Sequence, residues 1–120
     1  MSFDEERPLS DIAVGTAPGE DAVLRCKACG LPVAFERDAI EVLGKHVHRF
    51  VNPAGEAFEV GCFREASGCA PWGPAETFWT WFPGRAWRVA LCARCGIHLG
   101  WSYEGEGSAF HALIMPRLAR

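Results

Sequence analysis

The sequence has no run approaching the roughly 20 consecutive apolar residues that a membrane-spanning helix needs. Its opening stretch, MSFDEERPLSDIAVG, starts with acids and lacks the apolar core of a secretory signal. The expectation is therefore a soluble, cytoplasmic protein with no membrane partner. Basic clusters are missing as well. The 12 Lys and Arg residues are scattered against 15 Asp and Glu, and a net charge of −3 gives a phosphate backbone nothing to hold, so nucleic acid is not an expected partner. Amphipathic helical repeats are also lacking. Residues 36–45 could supply one helical turn, but Gly44 breaks the stretch and Val42 and Val47 favour strand.

What remains is a chain of 120 residues, 49% hydrophobic and 22% charged, which suits one globular domain. Residues 1–20 are acidic and punctuated by Pro8, Gly15, Pro18 and Gly19, as in a flexible arm; the folded domain is expected over 21–120. There the apolar runs are short: AVLRC, LPVAF, IEVLGKHVHRFV, AFEVGCF, TFWTWF, AWRVALC, IHLGWSY and FHALIM. Runs of this length, rich in Val and aromatics, read as strands, and the fold class is mainly β. Turn signals separate them: NPAG at 52–55, FPG at 82–84 and EGEGS at 104–108.

Six cysteines in a chain without a secretory signal point to metal binding or redox chemistry rather than a disulfide framework. Four of them form two matched blocks, Cys26-x-x-Cys29-Gly30 and Cys92-x-x-Cys95-Gly96. Each pair can sit on a tight turn that aims both thiolates at one point, and two such turns make the tetrahedral four-sulfur set that zinc prefers. With no open position the ion is structural, a single Zn2+ joining the two halves of a small sheet protein. His98, three residues beyond Cys95, is not needed as a ligand and reads as a strand histidine with a structural hydrogen bond. Cys62 and Cys69 have no histidine or basic cluster beside them to lower a thiol pKa, so they read as inert thiols; the alternatives are a redox pair or a nucleophile with its resolving cysteine.

Residues 77–101, TFWTWFPGRAWRVALCARCGIHLGW, hold four of the five tryptophans. Trp79 and Trp81 are two apart, so on a strand they share a face; Trp87 opens the run after the FPG turn, and Trp101 and Tyr103 are again two apart. If the strands pair, these rings wall a common cavity. Such a box accepts either a cation, for which Glu76 or Glu104 could supply the carboxylate, or a flat neutral ring.

Taken together, VNPAG (51–55), WFPGRAW (81–87), CARCGIHLGW (92–101) and FHALI (110–114), with Cys26 and Cys29 upstream, resemble the cereblon-type thalidomide-binding family, which includes single-domain bacterial members. The resemblance spans about residues 21 to 118. It implies a zinc-bound β-tent, two antiparallel sheets pinned by the four-cysteine site. It also implies a tri-tryptophan box, here Trp81, Trp87 and Trp101, with Tyr103 at the rim. In that family the box holds a cyclic imide such as the glutarimide of thalidomide, a uracil-like ring, or a cyclic imide at a peptide C-terminus. Asn52 would reach the ligand's polar edge, Pro53 and Phe58 would line the side, and the backbone of residues 79–81 would meet the imide edge. Trp79 stands where relatives carry an imide-binding histidine, so it is expected to pack against the ligand or the loop. No segment resembles the Lon-like domain or ligase-adaptor surface of eukaryotic members, and no ubiquitin role is expected. A non-enzymatic binding module is the leading expectation. The rivals are a B-type methionine sulfoxide reductase-like enzyme using Cys62 or Cys69, and a yippee-like zinc interaction module.

Overall fold

The computed structural model describes residues 22–120, so the expected arm over residues 1–20 lies outside the described residues. Within them are nine strands, seven from the apolar runs and two, β5 and β9, from segments outside them: β1 (Val23–Cys26), β2 (Pro32–Phe35), β3 (Val47–Val51), β4 (Ala57–Phe63), β5 (Cys69–Glu76), β6 (Arg85–Cys92), β7 (His98–Gly105), β8 (Phe110–Ile114) and β9 (Leu118–Ala119). Helical structure among the described residues is limited to two 3-10 turns, Glu36–Asp38 and Met115–Arg117. The first lies in the stretch where the sequence permits one turn.

Every strand pairing is antiparallel, and the strands make two sheets. The small one has the order β9-β1-β2 and the large one β3-β4-β8-β7-β6-β5. The mainly β class read from the residues and the two antiparallel sheets implied by the resemblance are the architecture observed. NPAG turns β3 into β4, and the EGEGS region turns β7 into β8. In the small sheet Leu118 pairs with Cys26 and Ala119 with Arg25, so the first and last strands lie side by side.

Two segments depart from the strand pattern. TFWTWF is a loop rather than a strand, and Trp79 within it takes a left-handed backbone, φ 56°. The large rings that mimic strand alternation are held there by their own N–H groups, as described below. Conversely β5, CAPWGPAE, carries two prolines and a glycine that discourage a strand reading. It is tolerated because β5 is the outermost strand of the large sheet, where a missing N–H leaves no ladder bond broken.

Alternation along the strands of the large sheet gives it two apolar faces. One joins Phe63, Cys92, Leu99 and Leu113 to Leu24, Cys26, Val33, Ala34 and Leu118 of the small sheet, and is the core shared by the two layers. The other gathers Phe58, Val60, Cys62, Trp101, Tyr103, Phe110, Ala112 and Ile114 around the buried Phe82. Full burial of one such side chain contributes about 1.5–3 kcal/mol.

Gly68 stitches the layers together. Its N–H donates to Val33 of β2 at 3.1 Å, and its carbonyl accepts from Ala93, in the turn after β6, at 2.9 Å. A Cβ there would lie 2.1 Å from the Pro32 carbonyl oxygen, so the close approach admits glycine alone without rearrangement.

Candidate functional site: a four-cysteine cluster and an aromatic pocket

The two cysteine turns are built alike. Gly30 N–H donates to the Cys26 carbonyl at 2.7 Å and Cys26 N–H to Leu31 at 2.8 Å; Gly96 N–H donates to Cys92 at 3.0 Å and Cys92 N–H to Ile97 at 2.8 Å. Both glycines have left-handed φ, 83° and 80°, the conformation that closes the turn and that a side chain would strain. Cys26 ends β1 of the small sheet and Cys92 ends β6 of the large one, so the cluster spans both layers.

Its four sulfurs lie within 4.8 Å of one another, with Cys26 to Cys95 at 3.7 Å and Cys29 to Cys92 at 3.5 Å. A tetrahedral site with metal–sulfur bonds of about 2.3 Å has sulfur–sulfur edges of about 3.8 Å. The four cysteines therefore fit one metal ion. Burial works against a thiolate at Cys92, but the backbone N–H groups of Cys95 and Arg94 and the neighbouring thiols outweigh it and draw the group down to about 6. A readily formed thiolate suits a metal ligand; at Cys95 the Ile97 N–H pulls the same way, but burial and hydrogen bonds with the thiols of Cys26, Cys92 and Cys29 outweigh it and push that group up to about 11.

Cys62 and Cys69 lie on opposite apolar faces of the large sheet, which excludes a redox pair between them. Cys62 is 0% exposed, and burial pushes its thiol up to about 11. Cys69 pairs with Cys92 across the β5–β6 ladder; burial and the nearby cysteines push it up to about 12.

The second feature is a pocket of about 400 Å³ on the other face of the large sheet, within the small-molecule range of roughly 300–1,000 Å³. Register explains its floor. Trp87 pairs with Tyr103 and Val89 with Trp101 on β6 and β7, so all four side chains share one face. Phe58, from β4, meets Trp101 edge to face at 5.2 Å. The loop over residues 77–82 folds across this floor and brings Trp81 to Trp101 at 4.8 Å between ring centroids, with planes at 76°. Phe50 stacks on Trp81 at 4.9 Å, and Phe82 anchors the loop against Tyr103 and Phe110.

Indole N–H groups tie the loop down. Trp79 and Trp81 both donate to the Val51 carbonyl, at 3.0 and 3.1 Å, and Trp87 donates to the Phe78 carbonyl at 2.8 Å. With all three donors engaged, what the indoles offer the cavity is ring surface. Opposite them, Asn52 spends its side-chain oxygen on its own turn, accepting from Ala54 at 3.0 Å and Glu56 at 2.9 Å.

The lining joins Asn52, Pro53, Phe58, Trp79, Trp81, Trp87, Trp101 and Tyr103, all eight positions expected from the sequence, around one cavity. Four more line it: Glu56, Phe78, Val89 and His98. Two of these carried a readable signal. Glu56 is two residues before Phe58 and Val89 two after Trp87, the spacing of a shared strand face. Glu56 is the carboxylate in the lining, whereas Glu76 and Glu104, the two considered from the sequence, are not part of it: Glu104 follows Tyr103 on β7 and so faces the other side of the sheet, and Glu76 pairs with Trp87 across the β5–β6 ladder but stays outside the cavity. His98 Nε2 donates to the Gly100 carbonyl at 2.9 Å, the structural hydrogen bond expected, and its ring packs edge on to Trp101 at 4.7 Å. Burial, aided by the Arg117 guanidinium, holds that imidazole below the usual histidine range against the opposing pull of the Gly100 carbonyl and Glu56.

No protein-family model matches the chain. Among curated proteins, protein cereblon of Danio rerio is 33% identical over 83 residues, covering 68% of this chain and 19% of its own length. Protein cereblon of Drosophila melanogaster is 27% identical over 103 residues, covering 82% of this chain and 17% of its own. That of Xenopus tropicalis is 39% identical over 54 residues, covering 45% and 12%. The chain contains a cereblon-type domain. It spans less than a fifth of the length of these relatives. Paired cysteine turns from two sheets and an aromatic pocket on the opposite face of the larger sheet are the structural content of this cereblon-type domain. No helix among the described residues is long and apolar enough to cross a membrane.

Proposed function

We propose that the domain is a ligand-binding module whose pocket encloses a cyclic imide, of the glutarimide or uracil type or at the end of a modified peptide, and whose four cysteines hold one structural zinc. The observation that carries the reading is the near-perpendicular arrangement of Trp81 and Trp101, 4.8 Å apart, with Trp87, Tyr103 and Phe58 completing the walls of one cavity. A glutarimide has an aliphatic edge that ring faces enclose and an opposite edge of carbonyl, N–H and carbonyl that needs hydrogen-bond partners. The backbone of residues 79–81, in a loop outside any sheet ladder, supplies those partners in this reading, apart from the Thr80 N–H, which already donates to the Thr77 carbonyl at 3.3 Å. Trp79, in the position of the family histidine, contributes ring surface, with its donor engaged by Val51.

Binding rather than catalysis is supported by Cys62. A fully buried thiol pushed up to about 11 is a poor nucleophile at neutral pH, which counts against the sulfoxide reductase alternative. Zinc, when bound, supplies cross-linking of the two sheets; the ring walls and the loop do the recognising.

Titration with glutarimide, succinimide, uridine and trimethyl-lysine, followed by tryptophan fluorescence on metal-loaded protein, tests the reading. Saturable quenching by the imide and its loss in Trp87→Ala with metal content retained is the expected result. Absence of any response to imide or uridine overturns it.

A further inference from the structure

Glu56 is the one charged side chain lining the pocket. His98, the other ionisable polar group there, is held toward its neutral form by burial, and its Nε2–H is spent on Gly100. Neither Lys nor Arg lines the cavity. One guanidinium touches the wall from outside the lining, that of Arg117, which lies 5.8 Å from the Phe58 ring centroid and donates to the His98 carbonyl at 2.8 Å.

Glu56 is also tied by its backbone to the turn that lines the cavity. Its backbone N–H donates to Asn52 Oδ1 at 2.9 Å, and its carboxylate receives Asn52 Nδ2 at 3.5 Å, so the turn that carries Asn52 and Pro53 to the cavity carries the carboxylate with them. The other walls include the rings of Trp79, Trp81, Trp87, Trp101 and Phe58, and an aromatic face turned to a ligand also favours positive charge. Carboxylate and ring quadrupoles thus act in the same sense.

We propose that Glu56 makes the pocket selective for charge, so that its preferred ligands are rings bearing a positive group beside the imide, such as an ammonium on the ring carbon or on a short arm, and anionic rings are disfavoured. This rests on the ring-binding reading above and names the ligand class within it. A closed cyclic imide is neutral and its ring-opened hydrolysis product is a carboxylate, so the same side chain sets the site against the opened form. Because Glu56 is exposed to solvent, the preference is modest and salt-sensitive, about three- to tenfold at low ionic strength.

The test compares two isosteric probes, 3-trimethylammonio-glutarimide and 3-tert-butyl-glutarimide, with unsubstituted glutarimide and tetramethylammonium as references, on metal-loaded wild type, Glu56→Gln and Glu56→Lys. The expected result is a three- to tenfold tighter Kd for the cationic probe on wild type, a ratio near one in Glu56→Gln, and an inverted ratio in Glu56→Lys. Equal affinities on wild type, or a preference that survives in Glu56→Gln, overturns the proposal. Binding of plain glutarimide with exclusion of both substituted probes also overturns it, because the pocket then has no room for a group beside the carboxylate. Failure of glutarimide together with Glu56-dependent binding of tetramethylammonium upholds charge selection and overturns the imide reading instead.

Discussion

The two faces of the large sheet use the same strands for opposite ends. On one face Leu24, Val33, Leu99, Leu113 and Leu118 pack into one buried core between the sheets, and the cysteines close the end of that layer. On the other, Trp81 and Trp101 meet at a steep angle and, with Trp87, line a pocket of about 400 Å³. Branched aliphatic side chains interdigitate to interior density, whereas rigid rings held by their N–H groups cannot collapse into the space between them. A cavity persists where the side chains are too stiff to fill it.

If the faces are separable, a break in the first should abolish the fold and a break in the second should abolish binding alone. Cys92→Ser tests the first most severely. A four-thiolate zinc site supplies on the order of 10 kcal/mol of apparent folding free energy, comparable to the roughly 5–15 kcal/mol stability of a whole domain. The variant, or wild type stripped by a strong chelator, should lose cooperative thermal unfolding and its near-ultraviolet dichroism. Retention of both would show that the aliphatic face holds without the metal.

Gly68→Ala should come next, since its Cβ meets backbone rather than a movable side chain; a loss of about 1–3 kcal/mol is expected from overpacking, read as a lowered denaturation midpoint. On the pocket face, Trp87→Ala should leave that midpoint nearly unchanged while removing imide-induced quenching, because Trp87 is only partly buried. Trp101 is 9% exposed, so Trp101→Ala should blur the separation by costing both binding and about 3–5 kcal/mol of stability.

The smallest effect concerns pH. The Cys62 thiol is raised to about 11 in the fold from an ordinary value of 9.0. Between these values the unfolded chain has lost the proton that the folded chain keeps, so stability falls as pH rises from about 9 to about 11 and is unaffected by this group below 9. Cys62→Ala should flatten that slope; an unchanged slope would show that Cys62 is not its source.

Much of the first face and part of the second are legible in the residues. The paired C-x-x-C-G blocks announce both turns and their glycines because a metal turn has fixed chemistry at fixed spacing. The two-residue spacings at Trp87 and Val89, and at Trp101 and Tyr103, announce one wall because strands alternate. The loop over residues 77–82 is different. Trp79 and Trp81 alternate as a strand would, and nothing local reveals that both N–H groups reach Val51, a residue far away in sequence. Nor does β5 show itself, since Pro71, Pro74 and Gly73 are acceptable only at a sheet edge that topology creates. Glu56 is within reach of the pattern through Phe58, although Glu76 and Glu104 stand nearer the tryptophans in sequence.

The pairing of β1 with β9 has a practical consequence. Polypeptide enters and leaves the described fold through neighbouring strands of the small sheet, on the cysteine side, while the pocket opens from the other face of the large sheet. Such a unit can be spliced into the middle of a larger protein, or tethered to a surface by either end, without obstructing the cavity. A circular permutant that joins the two strands and reopens the chain in the turn between β7 and β8 should fold and keep its pocket.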